Sequence, residues 1–297
     1  MGVIRKALGI TILSAGLLLG YSTCTVLKQL EEDKRYNTVR QKVLVEINRQ
    51  SLEGMMHPEL SERKSSVKFS GHSFDLDNAE ILKYYHTDKS DKLVIYIRDI
   101  HKSSVFDGKN LVQNNLYKTI DELYKENGTD LLVLEGTPQE EITKEWVDSN
   151  VGVLTKIIWE LWYGFWTPKT KEEALEALSG GVAYEYINDT KIETCGAEDA
   201  NIHEAAWYIA NNSIKSEGQA WLFDKIIVEK RNEIGVEKTL NYMEKYGKKQ
   251  AILVFGAAHT KGLTELLEKE GVSYIVIQPK GVDNYIYKVE EDVLSKQ

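Results

Sequence analysis

The residues with chemistry in this chain stand at the ends of apolar runs. Asp99 and His101 follow Leu93–Ile97, Glu135 follows Leu131–Leu134, and Glu198 and Asp199 follow Lys191–Cys195 by way of Gly196. His259 follows Ala251–Phe255 through Gly256-Ala257-Ala258, small residues that let another backbone or a ligand come close. Two imidazoles and several carboxylates in one cleft make either a divalent metal site with mixed nitrogen and oxygen ligands or an acid–base pair. A metal (Mn, Co or Zn) on two histidines and a carboxylate would lower the pKa of bound water and polarise a carbonyl. Without a metal, a histidine oriented by a carboxylate serves as general base. Taken singly, Asp99, Glu198 and Asp199 read equally well as helix caps, and a strand-end histidine can simply bond a loop. Successive strand ends that each carry an ionisable residue, mostly beside glycine, favour a site. No Gly-x-Ser-x-Gly elbow is present, which argues against a serine hydrolase. The two cysteines, Cys24 and Cys195, are too few for a Cys-based zinc site or a disulfide framework.

The elements that must hold these residues follow from periodicity. The strand at 93–97, a helix from about Leu111 to Glu126 and the strand at 131–134 form a strand–helix–strand unit, which predicts parallel strands and a right-handed crossover. A third strand is predicted at 191–195, then long helices through about Ala210 and from Gln219 to Tyr246, the second carrying Arg231-Asn232. The strand at 251–255, a helix marked by Leu263, Leu266 and Leu267, and a last strand at 273–277 complete the series. The fold class is therefore α/β, a mainly parallel sheet flanked by helices, with ligands expected at the carboxyl edge.

The organisation divides into an N-terminal anchor (1–30), a helical and polar lead-in (31–90) and an α/β domain (91–297). Within the lead-in, His57 and His72 read as loop histidines, and residues 76–86 as a short helix with His86 as a terminal cation. Residues 138–180 form an aromatic-rich helical insertion containing Trp146, Trp159, Trp162, Tyr163, Phe165 and Trp166. It packs on the domain, or else covers the site or touches a membrane surface. The uncharged run from Ala7 to Leu27 meets the roughly 20 residues that a spanning helix needs. It lacks a good Ala-x-Ala or lipoprotein cleavage site, so the expectation is a single-pass anchor with an extracytoplasmic domain, a cleaved signal peptide being the alternative. The formal net charge of −9, with no basic stripe, argues against nucleic acid as a partner.

The order of motifs from about residue 92 to 280 resembles the TraB/Tiki/ChaN/erythromycin-esterase superfamily. Gly256-Ala257-Ala258-His259 is similar to its second Gly-x-x-His, Glu135-Gly136 to its acidic motif, Arg231-Asn232 to its helical pair and, more loosely, Gly196-Ala197-Glu198 to its Gly-x-Glu. Arg98-Asp99-Ile100-His101 is similar to the first Gly-x-x-His with Arg98 in place of the glycine. The resemblance implies a hydrolytic site built on His101, His259 and Glu135, as metal ligands or as base. Glu198, Asp99, Asn232 and Arg231 would support it, Arg231 as an oxyanion or carboxylate clamp. The implied substrates are a peptide or a small-molecule ester. The rival expectation is a haem- or metal-binding protein of the same fold without turnover.

Overall fold

A computed structural model of the protein describes residues 64–69, 72–99, 111–147, 149, 192–203, 205 and 228–282. The expected anchor, His57, His101, most of the aromatic insertion and Cys24 lie outside the described residues. Among the described residues, no helix is long and apolar enough to cross a membrane.

The centre is a six-stranded sheet. Its strands are β3 (Ala79–Tyr85), β4 (Leu93–Asp99), β5 (Leu131–Leu134), β6 (Glu193–Gly196), β7 (Gln250–Gly256) and β8 (Ser273–Pro279), in the spatial order β3-β8-β4-β7-β5-β6. All neighbours pair parallel except β3 with β8. A separate antiparallel pair, β1 (Ser66–Phe69) and β2 (His72–Asp75), precedes it, so His72 opens a strand and does not sit in a loop. The strands β4, β5 and β8 are buried along their whole length, and β7 all but its first residue, which is why they read as unbroken apolar runs.

Helices cover both faces. Helix α1 (Leu111–Asn127) lays Leu116, Ile120 and Leu123 against Ile95, Ile97, Leu132, Leu134, Ile252 and Val254. On the opposite face α2 (Arg231–Lys245) and α3 (Thr260–Lys269) pack Val236, Met243, Leu263 and Leu267 against Val94, Tyr96, Leu131, Val133, Leu253 and Phe255. Each strand thus contributes alternate side chains to the two cores, as a pleat requires. Fully burying one such aliphatic side chain contributes on the order of 1.5–3 kcal/mol.

Two expectations are corrected. Residues 79–85 are not a helix but the antiparallel edge strand β3, and the sheet therefore begins before residue 91. The register shifts between Ile81 and Lys83, so Ile81 and Leu82 are both buried and the period of two is broken there. His86 accordingly follows a strand, where its Nε2 pairs with Asp88 at 3.2 Å. The strand–helix–strand unit does have parallel strands, but β7 lies between β4 and β5. Trp146, the described tryptophan of the insertion, is partly buried against the α1-side core.

Candidate functional site

The strands ending at Asp99, Gly256 and Leu134 are consecutive neighbours in the sheet, so their carboxyl ends open on one edge. Alternation then sorts the side chains. Register sets Arg98 beside Phe255, and the Glu135 amide donates to Val254 O at 3.0 Å, which brings Glu135 next to Phe255 on the α2/α3 face. Asp99, one residue further, points to the α1 side, where its Oδ1 accepts from Gln113 Nε2 at 2.7 Å. Arg98 is buried and donates through Nη1 to Gln278 Oε1.

The cluster on the α2/α3 face is built on Arg231, the first residue of α2. Its Nη2 donates to Glu135 Oε1 at 2.5 Å and also to Glu198 Oε1. Both carboxylates are almost fully buried, at 2 % exposure each, and would repel each other without the guanidinium between them. Burial pushes the Glu198 carboxyl up, but Arg231, followed by the hydrogen bond and charge of His203, outweighs it and holds the group below its usual value. For Arg231, burial acts downward and the two glutamates more than reverse it.

Glycines make the approach of these carboxylates feasible. Gly136 has φ 91°, a left-handed conformation, and its amide donates to Glu198 Oε1 at 2.9 Å. At Gly196 a Cβ would stand 2.2 Å from Thr137 O, so only glycine lets the β5 and β6 turns close on each other. The Glu-Gly and Gly-x-Glu spacings are thus two halves of one packed turn. The second oxygen of Glu135, Oε2, accepts from the Gly256 amide at 2.5 Å.

His259 ends a short 3-10 turn, Ala257–His259, between β7 and α3. Its Nδ1 meets Asn232 Oδ1 at 2.7 Å, and since an amide oxygen only accepts, the proton sits on Nδ1. Its Nε2 lies 3.8 Å from Glu135 Oε1. Phe255 is the floor: the His259 ring meets it edge-on at 4.8 Å between centroids, and the Arg231 guanidinium lies 5.7 Å from its centre. The Tyr96 hydroxyl, whose pKa burial raises, donates to Gly256 O at 2.9 Å and fixes the end of β7.

Of the expected site residues, Glu135, Glu198, Arg231, Asn232 and His259 come together, Asp99 lies on the other face, and His101 is outside the described residues. Asp199 is a helix cap, its Oδ1 accepting from the Asn201 amide at 2.9 Å and the Ile202 amide at 3.2 Å. One member was missed by sequence reasoning: His203, whose Nδ1 meets Glu198 Oε2 at 2.5 Å. The available signal was its place in the first turn of the helix that Asp199 caps, just after Gly-x-Glu.

The fit to a metal can be judged from the same contacts. Among the described residues, no group of three or more His, Cys, Asp or Glu is arranged to hold a metal ion. Glu135 has both oxygens engaged by Arg231 and the Gly256 amide, and the guanidinium already supplies the positive charge between the carboxylates. Glu135 and His259, the expected ligands that are described, thus belong to no metal-holding group among the described residues, and His101 lies outside them.

Comparison of the chain with protein-family models, curated proteins and solved structures finds no match.

Proposed function

We propose that this chain is a hydrolase of carboxylic ester or peptide bonds in which His259 takes the proton from the attacking water. The observation that carries the reading is the setting of His259: its ring is buried, with Nδ1 on Asn232 Oδ1 at 2.7 Å and Nε2 facing the Glu135 carboxylate at 3.8 Å. That is how a general base is oriented in a fixed tautomer. Glu135 is a poor base itself, since both of its oxygens accept hydrogen bonds. It serves instead as the negative charge that stabilises the imidazolium once His259 Nε2 has taken the proton. Arg231 holds the carboxylates apart, and its buried Nε makes no hydrogen bond among the described residues, a donor left for the developing oxyanion.

The bond class comes from the resemblance to the TraB/Tiki/ChaN/erythromycin-esterase superfamily, and the tether from the apolar run at 7–27. The test uses the p-nitrophenyl ester of N-acetyl-dialanine, which serves peptidases and esterases alike. His259→Gln should lower the rate by about 100-fold or more, the range for a general base, with an unchanged thermal midpoint. Glu135→Gln should do nearly the same, and the double variant little worse, because groups acting as a unit lose nearly everything at the first deletion. A fully active His259→Gln protein would refute the reading.

A further inference from the structure

The candidate site holds two imidazoles, and they differ in one respect that matters for proton traffic. The His259 side chain is 7 % exposed, whereas that of His203 is 40 % exposed. Each has a fixed partner: Asn232 for His259, and the Glu198 carboxylate for His203 at 2.5 Å. The two ends are joined through Glu198, Arg231 and Glu135, so they belong to one constellation with a sealed end and an open end.

We propose that His203 is the general acid of the same reaction, the residue that protonates the leaving group while His259 deprotonates the water. The inference rests on the hydrolase reading above. Its geometry is that of a second histidine–carboxylate pair. Glu198 Oε2 can only accept when ionised, so Nδ1 of His203 carries a proton there, and Nε2 is the other nitrogen of a ring whose side chain is 40 % exposed. Ionised Glu198 is favoured by the Arg231 guanidinium, and further donors surround it: the Gly136 amide on Oε1 and the Lys238 ammonium on its backbone carbonyl at 2.6 Å. The charged groups facing His203 are thus Glu198 itself, with Arg231 and Lys238 behind it and Asp199 at the start of its own helix.

The proton balance closes. Water gives one proton to His259 Nε2 and its oxygen bonds to the carbonyl carbon. The bond from that carbon to the leaving oxygen or nitrogen breaks, and the leaving atom takes the proton from His203 Nε2. His203 is recharged from bulk water because its ring is half-open to it, and His259 releases its proton on product departure. No oxidant, reductant or second substrate enters.

A general acid matters only when the leaving group is a poor one, and this provides the test. The full-length protein is assayed on the p-nitrophenyl and ethyl esters of N-acetyl-dialanine. His203→Gln keeps a hydrogen bond to Glu198 but cannot supply the proton. It should lower the ethyl ester rate by about 100-fold or more and the p-nitrophenyl ester rate much less, because acid assistance counts most where the leaving group needs a proton. As a second measurement, His203→Ala should regain ethyl ester activity on addition of free imidazole. Equal losses on both esters, or no loss on either, together with no imidazole rescue, would overturn the assignment. If His259→Gln abolishes both rates while His203→Gln leaves their ratio unchanged, only this inference falls. If the wild-type chain hydrolyses neither ester, the hydrolase reading falls and takes this one with it.

Discussion

Replacing Gly262 by alanine should damage the site without touching any of its ionisable groups. Gly262 lies in the first turn of α3, where alanine ordinarily stabilises a helix by about 1 kcal/mol over glycine. Here the added Cβ would stand 2.1 Å from Asn232 Nδ2 and 3.0 Å from its Cγ. Asn232 is buried at 3 % exposure and holds His259 Nδ1 at 2.7 Å, so it has little room to yield. Restoring an ordinary contact moves the amide by at least about 1 Å, a displacement that can reduce turnover about 100-fold when it reorients a catalytic base. The overpacking costs about 1–3 kcal/mol, and an unsatisfied buried amide or imidazole adds about 1–3 kcal/mol. Against the propensity gain, a net loss of about 1–5 kcal/mol is expected.

The assay pairs ester hydrolysis with urea unfolding for Gly262→Ala, Asn232→Ala and the double variant. In the Asn232→Ala background the clash is gone, so adding Gly262→Ala should now stabilise the protein by roughly its helix propensity, about 0.5–1 kcal/mol. Activity should stay low in all three, because none retains an oriented His259. A Gly262→Ala protein that is both more stable and fully active would refute the claim that Asn232 positions the base.

Glu198→Gln should flatten the acid side of the stability profile. The folded pKa of Glu198 lies below the ordinary 4.5, so its contribution is present above that pH and is lost as pH falls through the lower folded value; urea midpoints between pH 3 and 7 should converge for the two proteins at the acid end. Dialysis against EDTA should leave ester hydrolysis intact, since Arg231 supplies the charge between Glu135 and Glu198; activity lost on chelation and regained with Mn, Co or Zn would reverse this, and a Soret band in the purified protein would favour the haem reading. The intact chain should fractionate with membranes through Ala7–Leu27, and a mature N-terminus between residues 20 and 30 would replace the anchor with a signal peptide.

What was legible in the sequence follows from how strongly each element is buried. β4, β5, β7 and β8 announce themselves because nearly every one of their residues is shielded on both faces, and α1 because Leu116, Ile120 and Leu123 keep a helical spacing. β3 does not, because its bulge sets two consecutive residues inward and erases the alternation that marks an edge strand. The insertion of β7 between β4 and β5 has no local signal either, since parallel neighbours are chosen by crossover geometry far along the chain.

The same division holds at the site. That Glu135 and His259 share an edge could be inferred from strand ends alone, but the face on which each side chain lies depends on a single step of alternation. Arg98 and Asp99 are adjacent in sequence and point to opposite cores: one contacts Gln278 on the α2/α3 side and the other Gln113 of α1. Counting back from the first carboxylate after a strand therefore selects candidates without saying which of them meet. The partner that joins the two carboxylates, Arg231, comes from the first residue of α2, separated by 96 residues from Glu135 and 33 from Glu198. Its position between the two carboxylates offsets their charge, and under the proposed reading the imidazoles at the two ends are the groups that move protons.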